Sequence, residues 1–140
     1  MSRENIEVVR RLFAAFQSVD VDSFDRRFDE VRGIFDPEVE WVLPEHQASD
    51  SGQGHDDVRR FFDGLDETFD ELRLVPQEVV DAGDRVAVRL RYHARGKGSG
   101  IELDDELYHQ VTTFEGGRIV RIEYLTTWPA ALEAAGADLT

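Results

Sequence analysis

The sequence predicts a single α+β domain, and three observations carry that reading. Apolar residues recur at helical spacing through the first half of the chain. From Leu72 onward the spacing switches to every second residue. Residues 107–125, Leu-Tyr-His-Gln-Val-Thr-Thr-Phe-Glu-Gly-Gly-Arg-Ile-Val-Arg-Ile-Glu-Tyr-Leu, read as two strands folded about a glycine turn. Helices followed by strands fit a curved antiparallel sheet with helices packed on its concave face. No linker or internal repeat divides residues 1–140, and a chain of this length can bury a full core.

The elements follow in order. Ile6, Val9, Leu12, Phe13 and Phe16 share one face of a helix over residues 3–18, with Ser2 as its cap and Glu4 near its positive end. Phe24, Phe28, Val31 and Phe35 mark a second helix that ends near Asp36-Pro37, because proline restricts the residue before it. Residues 39–43 form a short strand, and residues 44–54, rich in Ser, Asp, Gly and Gln, form a loop. Asp56 and Asp57 open a third helix, whose apolar face is Val58, Phe61, Phe62, Leu65 and Phe69. Strands are predicted at 74–80, 85–95, 102–114 and 118–126, with turns at 81–84, 96–100 and 115–117. A short final helix begins at Trp128-Pro129, capped by Thr127, and ends at Gly136.

Composition excludes several classes of function. A formal net charge of −14 repels phosphate backbones, so nucleic acid is not an expected partner. No apolar run approaches the length of a membrane span and the N-terminal stretch is charged, so the expectation is a cytoplasmic protein with no membrane partner. With no cysteine there is no disulfide or thiolate chemistry. The four histidines sit on separate elements without ligand spacing, so neither a metal nor another cofactor is expected.

One face of the closing hairpin carries Tyr108, Gln110, Thr112, Phe114, Ile122 and Tyr124, too polar for a sealed core and too aromatic for a solvated surface. It reads as the wall of a pocket for a small organic molecule, continued by Val88, Leu90 and Tyr92 on the long strand, Trp41 and Val42 on the first, and Trp128. The opposite face, with Arg89, Arg91, His93, His109, Arg121 and Glu123, reads as a homodimer interface laced with ion pairs. His46 and His55 flank the loop before the third helix, at the pocket mouth.

Several runs resemble one known family. They are residues 5–16, Phe35-Asp36-Pro37-Glu38-Val39-Glu40-Trp41, Gly54-His55-Asp56-Asp57-Val58-Arg59-Arg60-Phe61-Phe62, Val79-Val80-Asp81-Ala82-Gly83-Asp84-Arg85-Val86-Ala87-Val88, residues 113–124, and Ala131-Leu132-Glu133-Ala134-Ala135-Gly136. Taken in this order, the chain resembles the nuclear transport factor 2-like superfamily in its SnoaL-like, polyketide cyclase-like branch. The resemblance implies a cystatin-like conical barrel with three N-terminal helices on the concave face of its sheet, and frequently a homodimer. The second helix carries about one turn more than the family pattern, which bears on the shape of the pocket mouth.

Relatives span isomerases, cyclases, epoxide hydrolases, dehydratases and non-catalytic binders, so the chemistry has to come from the residues. At the position where ketosteroid isomerase-like relatives keep an oxyanion-binding acid stands Gln110, which donates through its amide but does not exchange protons. The base position falls near Val42 and the first-helix tyrosine near Ala15, neither of which can act. The inward series also lacks the Asp-Arg-Asp set of the epoxide hydrolases. What is left for catalysis is proton transfer (isomerisation, cyclisation or dehydration) with His55 or Glu40 as base and Tyr108, Gln110 or Tyr124 as hydrogen-bond donors. The alternative is a binding module without chemistry.

Overall fold

Residues 2–14, 32–44 and 51–137 are described by the computed structural model. Helix α1, Ser2–Ala14, is followed by a 3-10 turn at Arg32–Ile34, strand β1 at Phe35–Val42 and a short strand β2 at Gly52–Gln53. Helix α2 spans Gly54–Thr68. Strands β3, Phe69–Asp81, and β4, Arg85–Gly96, come next, then β5, Glu102–Asp105, β6, His109–Glu115, and β7, Arg118–Leu125; helix α3, Trp128–Ala135, closes the order. The body of the second predicted helix and residues 45–50 of the loop lie outside the described residues. Its predicted end is corrected, since Phe35 already belongs to a strand.

The strands form one seven-stranded sheet in the order β2-β1-β7-β6-β4-β3, with β5 extending β4 beyond β6. Along this order the sheet is open, and it is mixed where antiparallel pairing was expected throughout. β1 runs parallel to β7, pairing Trp41 with Ile122, while the other pairs are antiparallel. Between Phe35↔Ile119 and Glu40↔Arg121, β1 advances five residues while β7 advances two, so three residues bulge out of the ladder. Pro37, which has no N–H to give, sits in that bulge. At the other end of the sheet, Gly116 and Gly117, at φ 60° and 81°, make the tight turn of the β6–β7 hairpin in the left-handed region that glycine enters without strain.

A second bulge breaks the strand predicted over residues 102–114. From Val88↔Gln110 to Tyr92↔Asp105, β4 advances four residues and its neighbour five, so residues 106–108 leave the ladder and the run divides into β5 and β6. The His109 side chain repairs the gap: its Nδ1 accepts from the Leu90 N–H at 3.3 Å. Beside it, Glu106 and Arg89 form a two-pronged ion pair that bridges bulge and sheet.

Both faces of the sheet are covered, by different helices. Val9, Leu12 and Phe13 of α1 and Val58 of α2 pack against Trp41, Val86, Val88, Leu90, Phe114, Ile119 and Ile122, forming the main core on the inner face. The buried Asn5 side chain fastens α1 to the β3–β4 turn by donating to the Gly83 carbonyl at 3.3 Å. α3 crosses to the outer face, where Ala131 and Ala135 lie on Ala87 and Val111. It starts and stops as the sequence dictates, with Thr127 accepting from the Ala130 N–H and Gly136 at φ 73° closing its end. None of the helices among the described residues is long and apolar enough to cross a membrane.

Candidate functional site

Residues directly opposite one another in neighbouring strands share a face, so the register alone builds the inner wall. One row across the sheet is Trp41, Ile122, Thr112 and Val86; the next is Tyr124, Gln110 and Val88. Leu90 and Tyr92 continue the wall along β4. Trp41, Val88, Leu90, Gln110, Thr112, Ile122 and Tyr124 are all buried, and Tyr92 and Tyr108 are half-buried at the end of the wall.

Aromatic rings cluster on this wall. Trp41 lies 5.5 Å from the Tyr124 ring and 5.3 Å from Phe61 of α2, and Phe61 stacks on Tyr124 at 6.2 Å. Tyr92 meets Tyr108 edge-on at 6.1 Å. Burial pushes the phenols of Tyr92 and Tyr124 well above their ordinary pKa, so both remain O–H donors across the physiological range.

Within this apolar setting, Gln110 Oε1 and Thr112 Oγ1 are buried without a hydrogen-bond partner, at residues 2% and 0% exposed. A buried polar atom that bonds to nothing costs about 1–3 kcal/mol, so two on adjacent inward positions of one strand need a reason. The cost is measurable. Thr112→Val, which keeps the shape and removes the hydroxyl, is expected to raise stability by about 1 kcal/mol in urea unfolding. A loss of similar size would show that the hydroxyl is satisfied.

The structure separates the residues expected to meet here. Trp41, Val88, Leu90, Tyr92, Tyr108, Gln110, Thr112, Ile122 and Tyr124 lie together. Val42 and Glu40 do not, because successive strand residues point to opposite faces and Trp41 takes the inner one; Glu40 is exposed and faces away from the inner wall. Trp128 is also on the other side, in the small cluster under α3, where its ring meets His109 at 5.7 Å. His55, on the first turn of α2, bonds through Nε2 to the Phe35 carbonyl at 3.2 Å, tying the helix to the β1 bulge. His46 and Ala15 lie outside the described residues.

On the outer face, Arg89, Arg91 and Arg121 pair within the chain with Glu106, Asp104 and Glu123, and His93 contacts Asp104 at 3.3 Å. His109, expected in an interface on that face, is 3% exposed within the chain itself. Two members of this aromatic cluster are not among the candidates the sequence offers. The sequence predicts Phe61 only as helix core, and Phe35, predicted at a helix end, packs against Trp41 at 6.4 Å. For Phe61 the usable signal was its place on the buried stripe of a helix facing an aromatic sheet. Among the described residues no group of three or more His, Asp or Glu is arranged to hold a metal ion.

Comparison with known proteins agrees with this architecture. The model of the SnoaL-like domain family matches residues 9–122. No curated protein matches the sequence. Among solved structures, a nuclear transport factor 2-like protein of unknown function from Burkholderia pseudomallei K96243 superposes with a TM-score of 0.73 at 24% identity, over 96% of this chain and 98% of its own. TerC, co-crystallised with polyporic acid, superposes with a TM-score of 0.72 at 24% identity, over 96% and 99%. A protein assigned as a SnoaL-like polyketide cyclase, from Jannaschia sp. CCS1, gives 0.68 at 23% identity, over 98% and 94%. At these identities the likeness speaks for the fold, while the family model covers most of the sequence. The chain belongs to the SnoaL-like domain family, on the nuclear transport factor 2-like fold.

Proposed function

We propose that this SnoaL-like domain binds a small, flat, mostly apolar organic molecule against the inner face of its sheet, and that binding rather than proton transfer is its activity. The observation that carries this reading is the pair of unpartnered polar atoms, Gln110 Oε1 and Thr112 Oγ1, in a wall otherwise made of Trp41, Val88, Leu90, Ile122 and Tyr124. Polar groups few in number and convergent within an aromatic surround are the usual make-up of a ligand site. The co-crystallisation of TerC with polyporic acid supports an organic ligand for a protein of this fold.

Isomerase, cyclase or dehydratase chemistry needs a base within reach of the ligand. Among the described residues the buried polar side chains are Asn5, His109, Gln110 and Thr112, and His109 belongs to the outer face. Among the described residues the inner wall therefore offers hydrogen bonds but no group that exchanges protons near neutral pH.

The test is a titration with 9-fluorenone, a flat apolar ketone, followed by tryptophan fluorescence and by amide and methyl NMR shifts. Saturable one-to-one binding with shifts at Val88, Leu90 and Ile122 is expected. Shifts confined to the outer face, or no saturation, would overturn the reading.

A further inference from the structure

We infer that residues 106–109 form an acid-released latch, in which protonation of His109 frees the bulge between β5 and β6 from β4 while the rest of the sheet stays paired. The geometry admits only the neutral ring. His109 Nδ1 accepts from the Leu90 N–H at 3.3 Å, in place of the rung that residues 106–108 vacate. An accepting Nδ1 carries no hydrogen, so an added proton goes to that atom. Two donors then face each other and the bond is lost. The cation that results is 3% exposed, with the Trp128 ring 5.7 Å away.

The groups around the ring decide which way it leaves. Among the described residues, β7 sets Leu125 opposite His109 and α3 sets Trp128 against it, neither of them charged. The charges that act on the ring are those of Arg89 on β4 and Glu106 in the bulge. Arg89 repels an imidazolium and Glu106 attracts it, so the ring moves toward the bulge and not back into the sheet. Glu106 keeps its charge and both its bonds from Arg89, since that pairing holds its carboxyl below the ordinary range. The bulge is thus hinged at Glu106 and released at His109, and it carries Tyr108 away from its edge-on contact with Tyr92. The β4–β6 pairs from Arg85↔Thr113 to Val88↔Gln110 do not use the ring and persist.

The test is amide exchange followed by NMR at pH 7.5 and 5.5, corrected for intrinsic rates, with and without low urea. Once released, the imidazole titrates near its ordinary value of about 6.5, so opening takes up a proton and its equilibrium rises by up to about tenfold over this interval. The Leu90 amide is expected to lose protection by that factor. The loss should not depend on urea, which is the mark of a local opening that exposes little surface. His109→Gln supplies an acceptor that does not titrate, and should abolish the pH effect at Leu90.

Leu90 protection that is the same at both pH values would overturn the latch. So would a loss that steepens with urea as global unfolding does, or one that persists in His109→Gln. If the glutamine variant does not fold, the urea dependence of the wild type alone decides between a local and a global opening.

Discussion

Replacing Trp41 with alanine is expected to cost about 3–5 kcal/mol of unfolding free energy, the range for deleting a large buried aromatic from a well-packed core. Trp41 is 2% exposed and holds together three rings from three elements: Phe35 of its own strand, Phe61 of α2 and Tyr124 of β7. It also sits at the parallel β1–β7 pairing, beside Ile122. Its removal therefore opens a void where a helix, an edge-side strand and the closing hairpin meet, and none of the three can collapse into the space without leaving the others. Domains of this kind are stable by about 5–15 kcal/mol in total, so the loss amounts to between roughly a fifth and the whole of that stability. Trp41→Phe, which keeps a ring, should lose less than half as much. Urea unfolding of the two variants decides the matter; equal, small losses would mean that the cluster is loosely packed.

How far the sequence revealed this cluster depends on the range of the interactions involved. Glu115-Gly116-Gly117 specifies its hairpin locally, through positive φ and flanking β-branched residues, and the structure places the turn there. The cap at Thr127 and the stop at Gly136 are equally local. Gln110, Thr112 and Tyr124 could be assigned to one wall because alternation along a strand is a strict rule once the register is known. That same rule argues against placing Trp41 and Val42 in one pocket, since neighbours on a strand cannot both face inward.

The longer-range features were not legible. The parallel pairing of β1 with β7 joins residues about eighty positions apart, and no periodicity records a partner. The break between β5 and β6 falls in an unbroken strand-like run, because its cause is elsewhere: Arg89 on the neighbouring strand pairs with Glu106, and His109 fills the missing rung. The sequence predicts Trp128 inside, because an aromatic residue close to an aromatic strand face reads as part of it. The chain in fact crosses to the outer face at residues 126–127, and α3 packs there on two small residues, Ala87 and Val111, which leave room for a helix. The candidate wall is thus readable as a face of one hairpin, but its boundary is set by topology.

The second large effect concerns that rung. His109 accepts from the Leu90 N–H through Nδ1, so its ring must be neutral with the proton on Nε2, and it is 3% exposed beneath Trp128. Burial lowers its pKa below 6.5; the Arg89 charge acts in the same direction and Glu106 opposes it. In the unfolded chain the imidazole titrates near its ordinary value, about 6.5. Between that value and the lower folded one, the unfolded state binds more protons, so stability is greatest above about pH 6.5 and falls as the solution is acidified through this window. Glu106, whose hydrogen bond from Arg89 lowers its pKa, contributes its own loss only further down, as pH falls below 4.5 through its folded value. The two effects are therefore separable by pH. His109→Ala should cost about 2–4 kcal/mol at pH 7.5, through an orphaned Leu90 N–H and a void under Trp128. His109→Phe restores the ring but not the acceptor, so it should recover part of that loss and flatten the stability profile between pH 5 and 7. Urea unfolding of wild type and the phenylalanine variant at pH 7.5 and 5.5 measures both terms. A slope that persists unchanged in the variant would place the titrating group elsewhere and leave His109 with a packing role alone.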